Sequence, residues 1–339
     1  MNTTRRLMHT TSLRGLLVIG LLGLVPVLAS TGLAQAAGGN TYAVDGATGG
    51  SPSCASAANN PALPFAKIGD ALTCVNADGT TATTPDTITI AVGTYYEAGL
   101  KVSAYVNIQG QAGSTIINAL KPDNTQLFGS VLTITAPYSV SISGLTITNG
   151  LSCSSLGCGG LGGGIFNGGT LTISNSTLSG NTACSGGCAG AGGGIANFFF
   201  ATLTISNSTL SNNTGCSGSN CNGQGGGIDN FGTLSVTNST LGGKASATGN
   251  IACSGSGCFG QGGGLWNDSN DPGFGSPNPV TLTNDTITNN AAFPMGTGSG
   301  GGGGGIYNFT GSPSLQNDTI KSNTPDNCGG PVSLTGCKG

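Results

Sequence analysis

A run of glycines, one aliphatic residue and an asparagine two positions later occurs five times in this chain. That pattern constrains the architecture more than any other feature of the sequence. The copies are Gly162–Asn167 (GGGIFN), Gly192–Asn197 (GGGIAN), Gly225–Asn230 (GGGIDN), Gly262–Asn267 (GGGLWN) and Gly303–Asn308 (GGGIYN). The first three run on as TLTISNSTLSGN, TLTISNSTLSNN and TLSVTNSTLGGK; the fourth, after an insertion, as VTLTNDTITNN, and the fifth as PSLQNDTIKSN. The aliphatic positions Ile165, Ile195, Ile228, Leu265 and Ile306 are spaced by 30, 33, 37 and 41 residues. A constant unit with loops of changing length is the mark of a stacked repeat protein.

Each unit carries three short apolar patches separated by turn residues. In Leu171-Thr172-Ile173 and Leu203-Thr204-Ile205 the aliphatics alternate with threonine, the period of a strand with one buried face. No stretch of the repeat region has the length and 3.6 period of a helix. Such short strands cannot bury their aliphatics alone, so the units must stack. Stacking makes parallel sheets with about 4.8 Å between coils, and parallel strands favour right-handed connections. The expected fold is all-β, a right-handed parallel β-helix of about eight to ten coils.

Asn175, Asn207, Asn238, Asn284 and Asn317 fall at the predicted corners, where asparagine tolerates a left-handed backbone. They also head N-x-S/T triplets, the acceptor pattern for glycosylation. Because they follow the repeat period, a ladder of amides along the axis is the preferred reading. Thr170/Thr172, Thr202/Thr204 and Thr281/Thr283, with Thr233/Ser235 between, form outward rows like those of ice-binding solenoids; exposed strand positions favour threonine in any case.

The cysteines keep the same rhythm. Cys153/Cys158, Cys184/Cys188, Cys216/Cys221 and Cys253/Cys258 each precede a glycine-rich start, and Cys54/Cys74 and Cys328/Cys337 sit towards the two ends. Such close spacing also suits metal ligation, but no histidine accompanies it, so six sequential disulfides and no metal are expected. Pinning a short loop this way contributes on the order of 2–3 kcal/mol.

Residues 1–36 read as a secretory signal: Arg5, Arg6, His9 and Arg14, an apolar run from Leu16 to Leu28, then Ala34-Gln35-Ala36 before the cleavage point. A retained anchor is the alternative. Residues 37–339 then form one domain, with a cap and irregular early coils over 37–150 and the repeat coils over 151–339. In the cap, Pro64–Val75 has Phe65, Ile68, Ala71 and Leu72 on one helical face, suited to closing the open end of the first coil. Strand-like pieces follow at Thr87–Val92, Lys101–Ile108, Ser114–Ala119, Val131–Thr135 and Val140–Asn149.

With residues 1–36 gone, no arginine and no histidine remain, and six lysines face twelve acidic groups. Nucleic-acid binding needs clustered Lys and Arg to displace counterions; no such cluster exists. No integral membrane domain is expected in the mature chain either.

The repeat GGGIxN…GTLTISNSTLSGNTA resembles the repeats of polymorphic outer-membrane proteins. The segment PFAKIGDAL…DTITIAVGTYYEAGLKVSAYVNIQGQAGSTIINA is similar to the first coils of the pectate-lyase-like β-helix superfamily. Together these likenesses cover nearly all of residues 37–339. They imply the fold, which hosts lyases, glycosidases, esterases and adhesins alike. The chain departs from the outer-membrane repeats in having glycine where they carry alanine and in lacking their FxxN element.

Two site readings compete. For binding, Phe166, Trp266 and Tyr307 share the outward position after the buried aliphatic. Phe231 and Phe309, with Phe198, follow the nearby asparagine, making a stripe of rings for sugars or a partner surface, broken at Ala196 and Asp229. For catalysis, the candidates are Asp229, Asp268, Asp271, Asp285 and Asp318, with Lys244 and Lys321 as bases. Asp285 and Asp318 occupy equivalent repeat positions, about 5 Å apart if the coils stack in register, which suits a retaining carboxylate pair or calcium. Both also stand where earlier repeats have the serine of Asn-Ser-Thr. The sequence favours a secreted or surface-displayed structural and adhesive β-helix with no cofactor, facing an extracellular polysaccharide or a cell-surface partner. The alternative is a polysaccharide lyase or glycosidase, for which Ca²⁺ becomes possible.

Overall fold

The computed structural model describes residues 39–154, 159–245, 248–269, 278–293 and 302–337. Residues 1–36, Cys158 and Asp271 lie outside this set. Residues 37–339 cluster as one compact unit.

Every pairing between named strands is parallel, and each strand pairs with its counterpart one coil away. A first sheet stacks nine strands, from Thr41–Val44 to Ser314–Gln316; a second and a third stack eight each. The chain visits the first sheet, then the second, then the third, and returns, so the molecule is a parallel β-helix as the repeat period required. Inward positions form unbroken aliphatic columns. One runs Ile88, Ile108, Ile142, Ile173, Ile205, Val236, Leu282 in the first sheet. Another runs Leu100, Leu132, Ile165, Ile195, Ile228, Leu265, Ile306 in the third. Nearly all are fully buried, and each such side chain contributes about 1.5–3 kcal/mol.

The cap helix runs Ile68–Ala77, a few residues later than the pattern suggested, with Ile68, Ala71, Leu72 and Val75 buried. Its start is held by Glu97, whose two carboxylate oxygens accept the N–H of Ile68 at 2.8 Å and of Gly69 at 2.9 Å. Two expected strands are each divided by a corner. Lys101–Ile108 becomes Leu100–Val102 and Val106–Gln109, and Val140–Asn149 becomes Ser139–Ser143 and Thr146–Thr148.

Four consecutive coils make an excursion that the three-patch reading did not foresee. Between the second and third sheets the chain runs out along Leu151–Cys153, Thr182–Ser185, Thr214–Ser217 and Ile251–Ser254. It returns along Gly159–Leu161, Ala189–Ala191, Asn222–Gln224 and Phe259–Gln261. These strands stack into two small parallel sheets, a side lobe with its own buried core of Cys153, Cys184, Cys188, Cys216, Cys221, Cys253 and Cys258. Cys184–Cys188, Cys216–Cys221 and Cys253–Cys258 are disulfide-bonded, as are Cys54–Cys74 and Cys328–Cys337 at the two ends.

The neck of this lobe explains the glycine triplet. The first glycine turns the chain with φ of +59°, +66°, +59°, +67° and +46° at Gly162, Gly192, Gly225, Gly262 and Gly303, a region open to glycine at little cost. The second meets main chain: a Cβ on Gly193 would lie 2.4 Å from the carbonyl carbon of Thr214. The third faces a buried amide, 3.2 Å from Nδ2 of Asn213 at Gly194.

That amide belongs to one of two asparagine ladders, and neither is the expected one. Asn175, Asn207, Asn238, Asn284 and Asn317 do adopt the left-handed backbone, with φ between 48° and 57°, but their side chains are exposed. The ladders run inside. Asn167, Asn197, Asn230, Asn267 and Asn308 are linked Nδ2 to Oδ1 at 2.8, 2.7, 2.9 and 2.9 Å. Asn181, Asn213, Asn250, Asn290 and Asn323 are linked at 3.0 Å throughout. A buried amide is stable only with its donors and acceptors satisfied, and the neighbouring coil supplies them. The outward threonine rows are offset: Thr281 pairs with Ser235 and Thr283 with Thr237.

Candidate functional site

The corner between the third and first sheets carries a continuous line of rings. Phe166 contacts Phe198 at 5.6 Å between centroids, Phe198 contacts Phe199 at 4.9 Å, and Phe199 contacts Phe231 at 4.5 Å. Phe231 lies 5.1 Å from Trp266, which stacks on Phe309 at 6.0 Å and 18°. The interruptions at Ala196 and Asp229 are bridged because the Phe198–Phe199 turn and Phe231 reach across them.

Exposure is distributed otherwise than alternation suggested. Trp266 and Tyr307 point outward from the strand but are only 4% and 9% exposed. Phe231 and Phe309 flank the indole, and the Tyr307 hydroxyl engages Gln261 of the side lobe. The open surface of the ridge is instead Phe198, Phe200 and Phe309, at 37%, 76% and 45%. The Phe198–Phe200 run was visible in the sequence as three successive phenylalanines; only the neighbouring coils show that it joins the column.

Asp229 pairs with Trp266 in the third sheet and is 1% exposed. Burial, with the charge of Asp268 added, pushes its carboxyl well above the usual range. Among the described residues, its Oδ1 and the Trp266 Nε1 have no hydrogen-bond partner. Asp268 is buried and accepts the Thr310 hydroxyl.

Asp285 and Asp318 do stack in adjacent coils, in the turn after the first sheet. Asp285 accepts the N–H of Ser239 at 2.7 Å and of Thr283 at 3.0 Å; Asp318 accepts those of Asp285 at 2.8 Å and Gln316 at 2.9 Å. Each carboxylate continues a column in which Ser176, Ser208 and Ser239 take the preceding coil's N–H on a hydroxyl. All four carboxylate oxygens are thus engaged by main chain, while Lys244 and Lys321 are exposed.

Burial, with the Asp318 charge adding to it against the two N–H donors, pushes Asp285 up to about 6. Asp86, an acid in an inward aliphatic column under the cap, is also raised to about 6, chiefly by burial. A carboxyl raised on folding lends stability that is complete below its unfolded pKa of about 4 and is lost as pH rises through the folded value. Asp285→Ser, which restores the residue of the earlier repeats, is therefore expected to flatten this slope. It should match or exceed the parent in melting temperature at pH 7.5 and gain least at pH 4. Melting curves at the two pH values check this; equal destabilisation at both would refute it.

A hollow of about 580 Å³ at the amino-terminal end is lined by Asp45, Thr48, Pro61, Pro64, Thr89 and Gln111 among others, with Asp45 the one ionisable group among the described lining residues. None of the candidate residues lines it.

No protein-family model matches the chain, and no curated protein does. Solved structures give weak likenesses. Pectin methylesterase PemA from Erwinia chrysanthemi is 13% identical, over 83% of this chain and 91% of that one, with a TM-score of 0.35. Pectate lyase Pel9A is 13% identical, over 87% and 76%, with a TM-score of 0.38. A rice weevil pectin methyl esterase is 13% identical, over 76% and 86%, with a TM-score of 0.33. Likenesses this weak bear on neither ligand nor chemistry, and the fold rests on the parallel sheets themselves.

Proposed function

We propose that this chain is an exported structural and adhesive β-helix that holds an extracellular polysaccharide along the ridge of rings at one corner. The observation that carries the reading is the unbroken contact line from Phe166 through Trp266 to Phe309, with Phe198, Phe200 and Phe309 open to solvent. Aromatic faces offer apolar area with little side-chain entropy to lose, which suits the C–H faces of sugar rings. Bound this way, the ligand needs no cofactor. Five disulfides among the described cysteines support an oxidising destination. No helix among the described residues is long and apolar enough to cross a membrane.

The lyase or glycosidase alternative gains nothing from Asp285 and Asp318, whose oxygens are consumed by the turn. A panel of plant and microbial polysaccharides, with and without calcium, decides between the readings. Retention on one polymer without new reducing ends or unsaturated products is expected. Binding should fall at least tenfold in Phe198→Ala/Phe309→Ala, a pair removing the exposed rings while leaving Trp266. Product formation, or unchanged binding by the pair, would overturn the proposal.

A further inference from the structure

The corner that carries the ridge holds an aromatic ring in seven successive coils, two more than the ridge itself. The third sheet begins with Leu100–Val102 and Leu132–Ile134, which stack in order beneath Ile165–Asn167. Tyr105 and Tyr138 follow those two strands at the same corner where Phe166, Phe198, Phe231, Trp266 and Phe309 lie in the next five coils. The two tyrosines meet edge to face at 5.5 Å between centroids, and both are half-buried. At a coil spacing near 4.8 Å, seven rings span about 29 Å.

The tyrosines lead onto the outer face of the first sheet, standing immediately before its strands Val106–Gln109 and Ser139–Ser143. A hollow of about 150 Å³ there is lined by Tyr105 and, from three successive coils, by Asn107, Ser141 and Thr172. Among the described residues, the side chains of Asn107, Ser141 and Thr172 have no hydrogen-bond partner, so one amide and two hydroxyls are left for a ligand. Tyr105 is the one ionisable group among the described lining residues. The register column through the hollow, Thr87, Asn107, Ser141, Thr172, Thr204 and Ser235, bears no charge.

We propose that the ridge and this hollow form one track for a neutral polysaccharide, which selects uncharged sugar units over uronic acids. The selectivity rests on the reading of the ridge as a polysaccharide holder and names the chemical class that it holds. Rings take the C–H faces of the sugars, and the amide and hydroxyls of Asn107, Ser141 and Thr172 take their hydroxyls. A carboxylate on the ligand would shed water in the hollow without meeting a cation, a cost that neutral hydrogen bonds do not repay. Residues 37–339 also carry six lysines against twelve acidic groups, which repels polyanions at long range. Salt screens that field over about 8–10 Å, but it does not supply the missing counter-charge in the hollow.

The test is calorimetric titration of the full chain with two matched pairs of polymers at low and high salt. The pairs are hydroxyethyl against carboxymethyl cellulose, and highly methyl-esterified pectin against polygalacturonate. In at least one pair the neutral member should bind about tenfold or more tightly than the acidic one, at both salt concentrations. Tyr105→Ala/Tyr138→Ala should weaken that binding about tenfold. Thr172→Lys supplies the missing cation without touching a ring, and should raise affinity for the acidic member about two- to fivefold. Far-UV circular dichroism checks that each variant keeps its strand signal. Tighter binding of the acidic members, or a preference that vanishes at high salt, would overturn the selectivity. Loss of binding in Phe198→Ala/Phe309→Ala but not in the tyrosine pair would leave the ridge standing and sink the longer track. No binding to any of the four polymers would also sink it, whereas the ridge reading fails only if the wider panel is not retained either.

Discussion

Gly226→Ala is expected to destabilise the protein by about 3 kcal/mol or more, at the upper end of overpacking costs. The new Cβ would stand 2.5 Å from the Gly263 carbonyl oxygen and from the carbonyl carbon and the nitrogen of Ile251. Ordinary carbon contacts need about 3.5–4.0 Å. Both obstacles are main chain of the next coil, so no rotamer change relieves the clash; the coils must part at the neck. Gly159→Ala is the control. A Cβ there meets nothing within 4 Å among the described residues, and its register partner one coil on is already Ala189. Urea midpoints should fall steeply for Gly226→Ala and stay within error for Gly159→Ala. Similar midpoints for the two variants would show that the neck is not tightly packed.

Asn213→Ala should cost about 3–4 kcal/mol, because it orphans several buried groups at once. Asn213 Oδ1 accepts the backbone N–H of Asn181 at 3.1 Å and its Nδ2 at 3.0 Å. Its own Nδ2 donates to the Leu178 carbonyl at 2.9 Å and to Asn250 Oδ1 at 3.0 Å. Alanine replaces none of these bonds in a fully buried site. Asn213→Asp keeps the acceptor but sets a carboxylate against two oxygens, so it should be more damaging at pH 7.5 than at pH 4. Hydrogen exchange at the Asn181 amide should accelerate in both variants. An Asn213→Ala protein melting within a degree or two of the parent would mean that the ladder follows the stack without stabilising it.

Asn213 also shows where sequence reasoning stopped. The repeat gave the strands and stacking, since Leu–Thr–Ile alternation has one solution when strands are this short. It did not rank the asparagines. Asn175 and Asn181 recur with the same period, and period alone cannot say which amide points inward; the structure puts the first on an exposed left-handed corner and the second under a glycine. Cysteine spacing predicted the five pairs found among the described residues, but not that four excursions stack into a second core.

For the site, Phe231 and Phe309 were legible as members of an aromatic stripe, whereas the burial of Trp266 was not. Alternation fixes which side of a strand a residue faces. What covers that side comes from loops and lobes of other coils, at sequence distances that vary with every insertion. The Asp285–Asp318 pair was found from register alone, and its engagement by turn N–H groups appears only when the neighbouring coils are in place.

The sequence by itself thus determined the coil, the columns of isoleucine and leucine and the glycines of the neck, because each follows from local period and backbone sterics. Tertiary structure alone decided which polar groups are buried, which rings stay open and which sulfurs meet. Those depend on partners 30 to 41 residues away, brought within bonding distance only when one coil lies upon the next.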